Sequence, residues 1–438
     1  MVPTRRLQYY YYLHRRKKIC SIALYIIILE LWLRIPNRKL WIHHWIGRRG
    51  LQGAHNNLFL ELRTEDLGRY RKCLRMTPEM FDWLVSKVSP LIKKQDTHLR
   101  LSIPPDERLA VTLRHLATGE TQESLSLLFR IGQSTISGII KETCKALYIV
   151  LKDTYLRFPS TEEEWKAVAA EYSDRWNFSN CIGAIDGKHV VISPPLQSGS
   201  LYYNYKDSFS IVLLAVVDPQ LRIIYADVGT NGRISDKGVW NKCSLKRHLE
   251  ENTINVPPPA PLPCIQKPFP FVIVGDEGFM LTKRILIPYP KEQLRGKKDR
   301  RIFNYRLSRA RRCAENAFGV MANRFQIFRS PMRYDPDDAR DIVMAILCLH
   351  NLLRSDTIGR ALYTPPVMVD HEDEVIGRIR PGEWRQEPAP QGFLPLGNLG
   401  GNRHANDALT LRDEWCAYFS GVGAVPWQDR MISAQDRN

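Results

Sequence analysis

From about residue 180 the hydrophobic period of the chain changes, and that change restricts the folds open to it. CIGAI, HVVI, SIVLLAVV and LRIIYADV follow one another within residues 181–228 as short runs rich in β-branched residues. Such side chains suit the pleated surface of a sheet. Asp218-Pro219-Gln220 reads as the turn between the last two runs. FVIVGD, residues 271–276, is a further apolar strand that ends on an acid, and two helical runs follow it, SRARRCAENAFGVMANRFQIF and DARDIVMAILCLHNLLR. A strand block closed by helices predicts an α/β fold, a mixed sheet with flanking helices.

Upstream of that block the period is helical. Thr77-Pro78 reads as an N-cap with proline in the first turn, after which Phe81, Leu84, Val85, Val88 and Leu91 recur at helical spacing. Beyond Pro104-Pro105 lie ERLAVTLRHLA, ESLSLLFRI and STISGIIKETCKAL, separated by GETQ and GQ. Short helices joined by a tight turn at Gly132 fit a helix-turn-helix, whose second helix can enter a DNA major groove. Gln133, Ser134, Thr135 and Lys141 are then candidate DNA contacts, and a helical subdomain packed on its neighbour is the plainer alternative. The spacing therefore divides the chain into a basic N-terminal segment (1–55), an all-α helix-turn-helix-like subdomain (56–160), the α/β domain (170–356) and a flexible tail (357–438). The tail is expected to be mobile because residues 360–410 are rich in Pro, Gly and Asn, with LRDEWCAYF as one short helix near the end. VPPPAPLPCIQKPFP is a proline-rich excursion without regular structure.

Charge narrows the partners. Sixty-three Lys and Arg against 46 Asp and Glu give a formal +17 over 438 residues, which suits a polyanion such as double-stranded DNA. Nine dispersed cysteines without a Cys-x-x-Cys pair exclude a disulfide framework and a zinc finger, and point to the reducing nucleus or cytoplasm. CSIALYIIILELWL, residues 20–33, is short for a membrane span and carries Glu30. It is expected to form a buried or amphipathic helix, with a membrane anchor as the lesser alternative.

Three acids stand out by context: Asp186 within GAIDGKHVVI, Asp276 at the end of FVIVGD, and Glu315 inside the long helical run. Each has an ordinary reading alone: Asp186 in an Asp-Gly hairpin turn, Asp276 capping a loop, Glu315 paired with Arg311 or Arg312. Together, two strand acids and one helix acid are what a two-metal phosphoryl-transfer site needs. Mg²⁺ or Mn²⁺ takes oxygen ligands, and water and substrate phosphate complete its shell. Arg309, Arg311 and Arg312, within the basic stretch 295–312, would hold the phosphate backbone. Gly187 would leave room beside Asp186 for metal and phosphate. Asp236 is a secondary candidate, better read as an N-cap, and His189 points to the opposite strand face from Asp186 and reads as structural.

The order GAIDGKHVVI, SGSLYYNYKDSFSIVLLAVVD, DVGTNGRISDKGVW, VGDEGFMLTKRILIPYP, LSRARRCAENAFGVMANRFQIFRSPM and LHNLL resembles the PIF/Harbinger DDE transposases and their domesticated nuclease relatives. Weaker similarity runs upstream through LWIHHWIGRRG and RKCLRMTPEMFDWLVSKVSPLI, and downstream to YFSGVGAVPWQ. The resemblance implies an RNase H-like domain with Asp186, Asp276 and Glu315 as catalytic, metal-ligating acids and two divalent ions. It implies DNA cleavage with strand transfer, a nuclear location, and a separate Myb-like DNA-binding partner; it leaves a homo-oligomer open and calls for no small-molecule cofactor. Asp207, Lys237 and Gly278-Phe279-Met280 depart from the family pattern. A scaffold that kept the fold without catalysis and a nuclease acting on RNA–DNA hybrids are the competing readings.

Overall fold

The computed structural model describes residues 5–34, 42–98, 101–234, 238, 240, 243–355, 357–396 and 405–435. Two compact units divide at Gly50. In the first, α1 (Arg5–Arg34) carries the apolar run, and the expectation of a buried helix is not met. Ile19, Ile22, Leu24, Tyr25 and Ile26 are each more than half exposed, because the apolar residues run consecutively around the helix rather than along one stripe. Among the described residues no helix is long and apolar enough to cross a membrane.

The second unit begins with helices: α2 (Leu67–Leu74), α3 (Pro78–Ile92), α4 (Pro105–Thr118), α5 (Gln122–Phe129), α6 (Gln133–Tyr155) and α7 (Glu162–Trp176). The Thr77 hydroxyl accepts the Met80 N–H at 3.4 Å, so the capping signal marks the start of α3. Phe81, Leu84 and Val88 face the core, whereas Leu91 faces solvent. α4 is the most enclosed of these helices and is buried from Glu107 to Thr112 without a break.

The sheet follows: β1 (Cys181–Val191), β2 (Ser210–Val217), β3 (Ile223–Asn231), β4 (Val272–Val274) and β5 (Ile285–Leu286). Its spatial order is β3-β2-β1-β4-β5, with β1 to β3 antiparallel and β4 and β5 parallel to β1. Every residue of β2 is buried, as both faces of a covered sheet require. The covering helices are α8 (Lys298–Arg324) and α9 (Pro336–Ser355). His350 and Asn351 of the LHNLL motif are structural: the Asn351 amide donates to the Ile223 carbonyl at 2.7 Å and accepts its N–H at 2.8 Å, and the His350 ring bonds the Leu221 carbonyl. α9 is thereby stapled to the start of β3.

The chain beyond residue 357 corrects the expectation of a flexible tail. β6 (His371–Asp373) pairs with β7 (Arg378–Arg380), β8 (Phe393–Pro395) adds to the β4 edge of β1, and α10 (Asn406–Ser420) buries Trp415 and Phe419 completely. Its Pro and Gly content serves close approach rather than mobility. A Cβ on Gly319 of α8 would lie 2.2 Å from the Trp384 ring, and one on Gly187 would lie 2.0 Å from Leu396. Leu396, not free space, fills the position above Gly187, so the room expected there for metal and phosphate is taken.

Candidate active site

β1 runs straight through Asp186-Gly187, with Asp186 paired to Ala215 of β2. No turn forms there, because the strand is fixed on both sides by partners that a hairpin would lose. Asp186 and Lys188 are two residues apart and share one face of β1 by the strand period. That face looks into a cavity of about 370 Å³ lined by Asp186, Lys188, Asp276, Arg311 and Glu315, with Phe318, Trp384 and Phe393 as apolar walls. Elements distant in sequence deliver the three acids: β1, the loop after β4, and the middle of α8.

The Asp186 carboxylate is buried; one oxygen accepts the Gly187 N–H at 2.9 Å and the other the Lys188 ammonium at 2.8 Å. Asp276 accepts the Gly278 N–H at 3.0 Å, a backbone bond that does not depend on the side chain at 278. Its carboxyl is pushed above the usual range by burial and then by the Asp186 charge, against a smaller pull from Arg311. Glu315 accepts a bond from Arg385 at 3.0 Å, and Arg385 is anchored by Asp370 at 2.7 Å. The two acids nearest the sheet repel each other across a desolvated space, which is the situation a hard cation relieves.

The donor set is all oxygen and fits Mg²⁺ or Mn²⁺. Among the described residues no three His, Cys, Asp or Glu side chains stand close enough to form a ready-made cluster. Glu315 is engaged by Arg385 and Asp186 by Lys188, so two internal cations occupy the acids.

The remaining candidates separate. Arg311 lies one helical turn before Glu315 and lines the same cavity. Arg309 and Arg312 are buried on another face of α8, paired with Glu372, and Arg309 also with Glu374 at 2.9 Å. Both guanidinium groups are engaged by these acids, and neither lines the cavity. Gln133 and Ser134 are exposed at the start of α6, and Thr135 is half-buried. Lys141 is engaged by Asp338 of α9. Ile136, Ile140 and Leu147 bury one face of the same helix in the core, while Glu142, Lys145 and Ile149 stay exposed along the other. His189 is buried against Ser210 at 2.9 Å, with its pKa lowered by burial to about 4. Asp236 and Lys237 lie outside the described residues.

Lys188, Trp384 and Arg385 are site residues that motif reading passes over. The strand period could have found Lys188. Nothing local marks Arg385, because its partner Glu315 is 70 residues away.

Two outcomes follow from these charges. Because the folded state raises the Asp276 pKa, it binds that proton more tightly than the unfolded chain does, and stability falls as pH rises through the raised value. Asp276→Asn is therefore expected to stabilise the protein by about 1 kcal/mol at neutral pH, with the gain shrinking as pH drops toward the ordinary Asp range; urea unfolding at several pH values measures it. Arg385→Ala releases Glu315 and is expected to tighten Mn²⁺ binding roughly three- to tenfold, as read by titration calorimetry.

Residues 185–351 match the DDE superfamily endonuclease family. The chain is 26% identical over 311 residues to an Arabidopsis thaliana protein named ALP1-like, covering 69% of this chain and 74% of that protein. It is 24% identical over 258 residues to the Arabidopsis protein named Antagonist of Like Heterochromatin Protein 1, covering 57% and 62%. It is 19% identical over 298 residues to HARBI1 of Xenopus laevis, whose name marks it as a candidate nuclease, covering 67% and 80%. No solved structure matches. Asp186, Asp276 and Glu315 all fall inside residues 185–351, the span over which the chain is similar to the DDE superfamily endonucleases.

Proposed function

We propose that the protein is a divalent-metal-dependent DNA endonuclease of the DDE type, acting in the nucleus on double-stranded DNA. The observation that carries this reading is the convergence of Asp186, Asp276 and Glu315, from three separate elements, on one cavity. The strand order, an antiparallel β1–β3 meander continuing into parallel β4 and β5, supports an RNase H-like architecture. Asp186 and Asp276 would hold one ion between them, and Glu315 would complete a second site. The ions supply activation of the attacking water or hydroxyl and charge stabilisation at the leaving 3′ oxygen. Lys188 and Arg311, already in the cavity, would turn from the carboxylates to the non-bridging oxygens of the scissile phosphate. Arg385 would leave Glu315 while remaining tied to Asp370, which is buried beneath it. A freed 3′-OH attacking target DNA would make the reaction a strand transfer. Gln133 and Ser134 would reach DNA from the first turn of α6, and a Myb-like partner and a second copy of the chain belong to the same proposal.

One observation favours a second reading. Lys188 and Arg385 neutralise two of the three acids from within the chain, which would also suit a DNA-binding scaffold without catalysis. Incubating purified full chain with duplex DNA and Mn²⁺ separates the two. Mn²⁺-dependent nicking that EDTA abolishes, and that is faster on duplex DNA than on an RNA–DNA hybrid, supports the nuclease. DNA binding with no cleavage at any Mn²⁺ concentration supports the scaffold.

A further inference from the structure

A second cavity, of about 300 Å³, lies among α2, the start of α3 and the end of α8. Arg71, Lys72, Arg75 and Arg324 line it, and no Asp or Glu does. Nine residues separate Arg324 from Glu315 along α8, which at 3.6 residues per turn directs the two side chains to opposite sides of the helix. The cavity is therefore distinct from the one holding the acids.

The bonds made by the arginines here go to neutral backbone oxygens. Arg75 donates to the carbonyls of Arg324 at 2.8 Å and Ala117 at 3.0 Å, Arg324 to that of Tyr363 at 2.8 Å, and Arg71 to that of Leu67 at 3.1 Å. Among the described residues none of the four cations has a carboxylate partner. Burial and the neighbouring Arg324 charge bring the Arg75 pKa down to about 10, and burial lowers that of Arg324. Asp66, the nearest acid to Arg71 and Lys72, accepts the Arg69 N–H at 2.9 Å, and Glu79, four residues beyond Arg75, is turned back on its own backbone N–H at the start of α3. Glu383 attracts Arg324 from beyond ion-pair distance, and half-buried guanidinium groups held together without a carboxylate in contact are costly unless an anion joins them. The carbonyl bonds pre-orient the two forks, and a planar fork matches the geometry of a phosphate oxyanion.

We infer that this cavity is a phosphate-binding site, filled either by a backbone phosphate of nucleic acid or by free phosphate. The inference needs no catalysis at Asp186, Asp276 and Glu315, so it survives failure of the nuclease reading. Arg71→Glu/Lys72→Glu tests it in the full chain, because neither side chain holds a core element; Lys72→Glu alone serves if the pair does not fold. Lys87→Glu on α3 with Lys93→Glu just past its end, both exposed and outside the cavity, is the matched control.

Inorganic phosphate, compared with chloride at equal ionic strength, is expected to raise the wild-type Tm by about 2 °C near saturation. The cavity variant should lose that shift and the control should keep it. If the cavity takes backbone phosphate, duplex DNA affinity by fluorescence anisotropy falls five- to tenfold in the cavity variant alone, and its salt slope flattens by about one. A phosphate shift lost in the cavity variant with unchanged DNA affinity assigns the site to free phosphate. Absence of any phosphate shift in the wild type, together with equal DNA affinity in cavity and control variants, overturns the inference.

Discussion

Asp186→Asn is expected to lower Mn²⁺-dependent cleavage of duplex DNA by roughly 10³-fold, about 4 kcal/mol of transition-state stabilisation, while leaving DNA affinity within about twofold of wild type. The substitution keeps the shape of a buried strand residue and its bond from Gly187, which Asn can still accept. What it removes is the charge that faces Asp276 across the cavity. Glu315→Gln should cost a similar factor, and the double variant little more, since residues that act as one unit are not additive. Retained cleavage in Asp186→Asn would remove this residue from the mechanism. Unchanged folding, checked by circular dichroism, keeps the result interpretable.

Trp415→Ala is expected to destabilise the protein by about 3–5 kcal/mol. The indole is fully buried and stacks on Phe178 at 5.2 Å between centroids, with Phe419 at 5.5 Å. Phe178 lies three residues before β1, so α10, packed on α8, ties the approach to the strand that carries Asp186 into the core. Denaturant unfolding measures the loss. A change below about 0.5 kcal/mol, the range of an ordinary surface substitution, would restore the mobile tail that composition suggests.

The contrast between these two residues shows what a single sequence reveals. Asp186, Asp276 and Glu315 were legible because strand and helix periods are local, and an acid set in an apolar run has few cheap explanations. The turn at Asp218 was legible for the same reason: its carboxylate accepts the N–H groups of Gln220 and Arg222 at 2.9 and 2.8 Å, all within five residues. The strap from residue 366 to 396 was not, because its order comes from partners far away in sequence. Trp384 bonds Asn316 at 3.0 Å, Glu372 meets Arg309 and Arg312, and Leu394 pairs with His189. Rich in Pro and Gly, such a segment reads as linker until the glycines are seen beneath a ring or a side chain. The same distance effect hides the pairing of Arg309 and Arg312: the basic stretch is visible, but Glu372, which engages both, lies 60 residues from Arg312. Asp-Gly at 186–187 carried a sound local turn signal that β2, on one side of β1, and β4 and β8, on the other, override.

Lys188 and Arg385 set the terms on which the acids can work. Each is an internal counter-ion, so under the proposed nuclease reading metal and substrate phosphate would displace them together, and the site would become competent only when both arrive. This predicts weak Mn²⁺ binding by the protein alone and tighter binding with DNA present.

The most direct measurement is calorimetric titration of Mn²⁺ into the full chain bound to duplex DNA, for wild type, Asp186→Asn, Asp276→Asn and Glu315→Gln. The account predicts saturable binding by the wild type and loss of at least tenfold in affinity, or of one ion, in each variant. Wild-type binding that none of the three substitutions changes, or no binding by the wild type, would contradict the assignment of these acids to one metal site.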